Sequence, residues 1–224
     1  ELLTDKKLFF QRSNPGKQLS LEDFLASNIT NSFANKINGK DTLAEYIRSL
    51  APISSSNEKT FADNQLKISD LERMQKYFLY FWEKRDNLFP EKAWQDYLTE
   101  VERVDREYGT RLYKGYETDR GRVYLQYGLP NSITKADHEP NSYPYEIWHY
   151  YKTVKKSNVK FVFIDTDLAI NDYTLIHSDA IGEINDPRWH FQTQKRNTPF
   201  ENIDIERGRE HYGGRALEYF KNPR

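Results

Sequence analysis

The chain has 224 residues, with 33 basic and 34 acidic side chains and a formal net charge of −1. Both signs are mixed along its length, which excludes the concentrated basic surplus that gives nucleic-acid binders most of their affinity; the absence of cysteine excludes disulfides, thiol nucleophiles, Cys-ligated zinc and iron–sulfur clusters. Hydrophobic residues make up only 37%, yet four Trp, sixteen Tyr and thirteen Phe supply rings that bury about 150–250 Å² each, enough for a core.

No apolar run reaches the roughly 18–20 residues of a membrane-spanning helix. The chain opens on Glu1 rather than Met, so a targeting segment is expected upstream. The length fits one domain or two small ones, and the patterning suggests an N-terminal helical arm over 1–66, an α+β unit over 67–185 and a wrapping tail over 186–224, together one compact body.

In chain order, a first helix is expected from Ser20, with Leu21, Phe24, Leu25 and Ile29 on one stripe. A second starts near Asp41, carries Leu43, Tyr46, Ile47 and Leu50, and ends at Pro52; Ser54-Ser55-Ser56-Asn57 then reads as a loop. Ser69 with Glu72 has the spacing of a capping box, followed by Leu71, Met74, Phe78, Phe81, Trp82 and Arg85 on one helical face. Pro90 opens another helix through Trp94, Tyr97, Leu98, Val101 and Val104, closed by Gly109. These two helices form an αα-hairpin whose aromatic surface needs a partner.

From Arg122 the period changes to two. Strands are expected over 122–127, 145–151, 159–165 and 173–177, with Gly128-Leu129-Pro130-Asn131 as a turn. Short connections without helices make the sheet antiparallel, with one face wet and the set Val123, Leu125, Trp148, Phe161 and Phe163 packed against the helical pair. The expected class is α+β: N-terminal helices including the αα-hairpin on a small sheet of about four strands, then an irregular C-terminal tail with one short helix around 200–210.

Between hairpin and sheet lies Gly115-Tyr116-Glu117-Thr118-Asp119-Arg120-Gly121-Arg122-Val123-Tyr124-Leu125-Gln126-Tyr127-Gly128. This block resembles the signature of the GWxTD domain family, with Tyr116 in place of the family's Trp. Phe81-Trp82-Glu83-Lys84-Arg85-Asp86, Tyr143-Pro144-Tyr145-Glu146-Ile147-Trp148, Asn171-Asp172-Tyr173, His177-Ser178-Asp179 and Asn185-Asp186-Pro187-Arg188-Trp189 follow the same pattern in the same order. The resemblance implies a domain of Bacteroidota cell-envelope or secreted proteins, located in the periplasm, at the outer membrane or outside the cell, and it brings no established activity and no cofactor.

Two readings of the block stand side by side. In the first, the glycines bracket a rigid connector in which Thr118 and Asp119 bond the local backbone and Arg120 or Arg122 pairs with Asp119. In the second, Asp119 and Arg122 form a polar site whose guanidinium offers a bidentate fork to an anion. Elsewhere the five histidines show no i, i+4 pair and no H-E-x-x-H; His149 and His177, with Glu146 or Asp179, meet only if their strands are neighbours. No G-x-S-x-G surrounds Ser142 or Ser178. Glu117 with Asp119, or Glu146 with Asp165, are the candidate carboxylate pairs for glycoside hydrolysis. Tyr143, Tyr145, Trp148, Tyr150 and Tyr151 are either core or an exposed platform for a peptide or glycan, which Arg85, Asp86 and Arg188-Trp189-His190 would extend. The residue pattern favours a non-catalytic structural or protein-interaction domain, for which the resemblance implies a protein partner in the envelope, and the alternative is a hydrolase or carbohydrate-active enzyme using Asp119, Glu146, His149 or His177. Tyr124, Tyr127, Asp172 and Tyr173 complete the candidate set.

Overall fold

The computed structural model describes residues 29–139, 142–194 and 215–222; the helix expected from Ser20 and the short helix around 200–210 lie outside the described residues. The fold is α+β, with seven helices and a four-stranded antiparallel sheet among the described residues. The chain divides into two compact units, one ending at Glu107 and the other beginning at Tyr108.

The first unit is helical. It holds α1 (Lys40–Ser49), α2 (Ser56–Ile68), α3 (Leu71–Glu83) and the body of α4 (Pro90–Tyr108). The cap of α3 is Asp70, whose carboxylate accepts from the Arg73 N–H at 2.9 Å, one residue beyond the expected Ser69. The reciprocal capping box sits earlier, in the stretch expected to be a loop: Ser55 N–H donates to Glu58 and Glu58 N–H to the Ser55 hydroxyl, at 2.9 and 3.2 Å, so the chain starts α2 there. The α3–α4 stripe is met by α1 and the turn before it. Phe78 and Trp94 pack edge-on at 4.8 Å, Trp82 contacts Tyr97, Tyr46 lies on Trp94 and Phe33 on Phe78. Such ring pairs add about 0.5–1.5 kcal/mol each beyond the area they bury.

The second unit carries the sheet and the signature block. After a 3-10 turn at Gly115–Glu117, Asp119–Tyr127 forms helix α5, where alternation suggested a strand. The reason is local. Thr118 accepts from the Gly121 N–H at 3.1 Å as N-cap, Gly128 closes the far end at φ +79°, and buried Arg120, Gly121, Val123, Tyr124 and Leu125 follow a helical face. The first strand is instead β1 (Ser132–Ala136), followed by β2 (Tyr145–Lys152), β3 (Ser157–Ile164) and β4 (Thr174–Ser178) in the order β1-β2-β3-β4.

Register fixes the faces. Ile147 lies opposite Val162, and Val162 opposite His177; Trp148 lies opposite Phe161. One face carries Trp148, Tyr150, Phe161 and Phe163 under Tyr108 and the Tyr127 ring of α5. The other carries Tyr145, Ile147, Val162, Ile164 and Ile176 under Trp189 of α6 (Trp189–Gln192) and Ala216 of α7 (Ala216–Lys221). Both faces are therefore covered, where a wet face was expected, because the chain after β4 returns over the side that α5 leaves open.

Candidate functional site

The signature block is built from its backbone outwards. Lys114 N–H donates to the Glu117 carboxylate at 2.9 Å, and the Thr118 hydroxyl donates to the Gly115 carbonyl at 2.8 Å while accepting from Gly121. Gly115 and Tyr116 are buried in this turn. Glu117 is thus tied to its own turn rather than paired with Asp119.

Asp119 reaches across to the sheet. Its Oδ2 accepts from the Leu175 N–H of β4 at 2.8 Å, and its Oδ1 lies 3.7 Å from Arg122 Nε. Of the two expected partners of Asp119, Arg122 is the one that pairs with it, and both arginines also reach carboxylates of distant segments. Arg122 presents its fork to Glu183, with both Nη–Oε distances at 2.9 Å, and the Tyr127 hydroxyl donates to the same carboxylate at 3.0 Å. Burial works against the Arg122 charge, but the Glu183 bonds outweigh it and hold the guanidinium above its ordinary pKa; burial and then Glu183 push the Tyr127 phenol up.

Arg120 is 4% exposed. Its Nη1 donates to Glu146 Oε1 at 3.1 Å and its Nη2 to the Asn171 carbonyl at 2.9 Å, with the guanidinium 4.0 Å from the Tyr173 ring centre. Glu146, equally buried, also takes Lys135 Nζ at 3.2 Å and the Trp148 indole N–H at 2.8 Å. Tyr173 is raised to about 12, by burial first and then by Glu146 and Asp137. Asn171 holds a left-handed φ of +57°, which turns its carbonyl into this cluster, and Asp172 beside it is half-buried. Asp165 is buried with Oδ1 unbonded, and burial raises its carboxyl.

The structure brings Arg120, Glu146, Trp148 and Tyr173 together, and separately Asp119, Arg122 and Tyr127. It leaves the histidines apart. His149 lies opposite Lys160 and bonds Asn158 at 2.7 Å, whereas His177 sits on β4, with β3 between the two; two strand spacings are about 10 Å. Among the described residues no group of three His, Asp or Glu is placed to hold a metal ion. Tyr145, Trp148 and Tyr150 are fully buried, so of the five candidate platform rings Tyr151 alone is largely exposed, at 61%, with Tyr143 half-buried. Sequence reasoning missed Lys135, which pairs with Glu146, and Glu183, which takes the Arg122 fork; Asn171 entered only as part of a family motif, not as the carbonyl that accepts from Arg120.

A family model for the GWxTD domain matches residues 26–195. The chain belongs to the GWxTD domain family. The match takes in the helical unit as well as the signature helix, β1 to β4 and α6. No curated protein and no solved structure matches this GWxTD domain.

The Thr-Asp-Arg-Gly-Arg stretch of the GWxTD signature therefore fastens α5 to β2, to β4 and to the loop that carries Glu183. Each guanidinium fork faces a carboxylate of the same chain, so an anion reaching Arg122 must displace Glu183 from a bidentate pair.

Proposed function

We propose that this GWxTD domain is a non-catalytic structural or protein-interaction module of a bacterial cell-envelope protein. One observation carries the reading: Thr118, Asp119, Arg120 and Arg122 each engage a group of their own unit, so the conspicuous polar residues hold elements together. The family resemblance supports a Bacteroidota envelope protein in the periplasm, at the outer membrane or secreted, with a protein partner; a peptide or glycan is the alternative ligand. No cofactor enters this reading.

A hydrolase is the second reading, and Asp165 favours it, as a buried carboxyl with a raised pKa and an unbonded oxygen. The two separate in one experiment. The purified chain is assayed against ester, glycoside and phosphoester substrates, and in-cell crosslinking followed by fractionation reports its neighbours. Expected are no turnover and a defined protein adduct in the envelope fraction. Turnover that disappears in Asp165→Asn at unchanged melting temperature would overturn the proposal.

A further inference from the structure

The last helix covers the sheet in an unusual way. α7 has six residues, far below the roughly 12–15 at which a helix holds itself in water, so its helicity comes from what it lies on. Ala216 alone is buried; Leu217, Tyr219 and Phe220 are half-buried, the exposure of a docked segment rather than of a core element.

The floor beneath it is independent of it. Tyr145, Ile147, Val162, Ile164 and Ile176 are held by strand pairing, and Trp189 belongs to α6. Two polar groups flank this apolar floor. Glu139 accepts from the Arg215 N–H at 2.6 Å through one oxygen and from the Tyr145 hydroxyl through the other, and Lys160, 7% exposed on β3, sets its ammonium 4.8 Å from the Phe220 ring centre. Phe220 also packs on Trp189 at 5.2 Å and edge-on to His177 at 5.3 Å. In sequence, twenty residues separate Gln194 from Arg215.

We infer that this sheet face is a helix-docking groove, that α7 is its resident ligand, and that a partner segment of the same chemistry exchanges with it. The groove fits a short amphipathic helix carrying a small residue and Leu on one turn and an aromatic pair on the next. Its apolar floor supplies affinity, Lys160 selects the ring at the position of Phe220, and Glu139 takes a backbone N–H at the start of the segment. The resident helix belongs to the same chain and competes intramolecularly, so a free segment competes only when α7 is weakened or its own affinity is higher. The inference deepens the interaction reading and borrows its protein partner; peptide exchange tests it separately, because an enzyme with an exchangeable helix would still bind the peptide.

The test uses the full chain and a fluorescein-labelled peptide of residues 214–224. In the double variant Leu217→Ser/Phe220→Ser the floor is intact and its occupant weakened, so the peptide binds about tenfold or more tighter than to the unaltered chain, and a Phe220→Ala peptide binds neither. A folded variant that binds the peptide no better than the unaltered chain overturns the inference. Native-state hydrogen exchange on the unaltered chain decides the matter if the variant does not fold. Amides of 216–221 are expected to open about a hundredfold more often than those of β3, and exchange of the two together refutes a separable helix.

Discussion

Arg120 and Glu146 form a buried ion pair at 3.1 Å, between side chains only 5% and 3% exposed, across 26 residues of sequence. Such a pair contributes little net stability, because desolvating both charges offsets their attraction; removing one partner leaves the other uncompensated. Glu146→Leu should cost about 3–5 kcal/mol, while Arg120→Met/Glu146→Leu together should recover most of it. Urea denaturation of the single and double variants checks this. A single variant losing less than about 1 kcal/mol would show that the pair is not desolvated.

Asp119 has a smaller role than its place in the signature suggests. Its firm contact is the Leu175 N–H, and Arg122 retains Glu183 without it. Asp119→Ala should therefore cost about 1–3 kcal/mol, the price of one buried amide left without an acceptor, and Asp119→Asn less, since the amide oxygen can still accept. Equal losses for the two would point to the charge instead, through Arg122 or the N-terminus of α5.

Much of the scaffold was legible: α3 and α4 follow a period of 3.6, and β2, β3 and β4 stand out as short runs rich in aromatic and β-branched residues. The error at α5 came from Val123, Leu125 and Tyr127, which alternate as a strand would, although Thr118 and Gly121 already held the spacing of an N-cap bond. α2 was hidden by its serines, whose S-x-x-E box with Glu58 outranks their turn preference. The site was legible only as residue types. Arg122 meets Glu183 at a separation of 61 residues, a pairing no local pattern encodes. The same solution recurs in the helical unit, where Arg85 of the second family motif donates to buried Glu58 at 3.0 Å and lies over Phe81 at 3.3 Å.

Gly128 provides a purely conformational test. Its φ of +79° with ψ of −169° is a region nearly closed to residues with a Cβ, and its carbonyl accepts from the Tyr150 hydroxyl at 2.9 Å. Gly128→Ala should cost about 1–3 kcal/mol by thermal denaturation. The neighbouring cap gives a second value, since Thr118→Ala should cost about 1 kcal/mol and Thr118→Ser little. Tolerance of alanine at 128 would mean that the α5–β1 turn can take another conformation at no cost.

His177 makes the domain sensitive to acid. Burial under Trp189 and Phe220 lowers its pKa from the ordinary 6.5, and the opposing pull of Asp179 and Asp186 is too weak to reverse this; its Nδ1 has no bonding partner. The unfolded chain then binds a proton more readily than the folded one. Stability from this group is complete above about pH 6.5 and is lost as pH falls through that value towards the lower folded pKa. The melting temperature of the unaltered chain should decline between pH 7.5 and 5, and His177→Phe, which keeps the ring stack and removes the titration, should flatten that decline. An identical slope in the variant would assign the acid sensitivity to other groups.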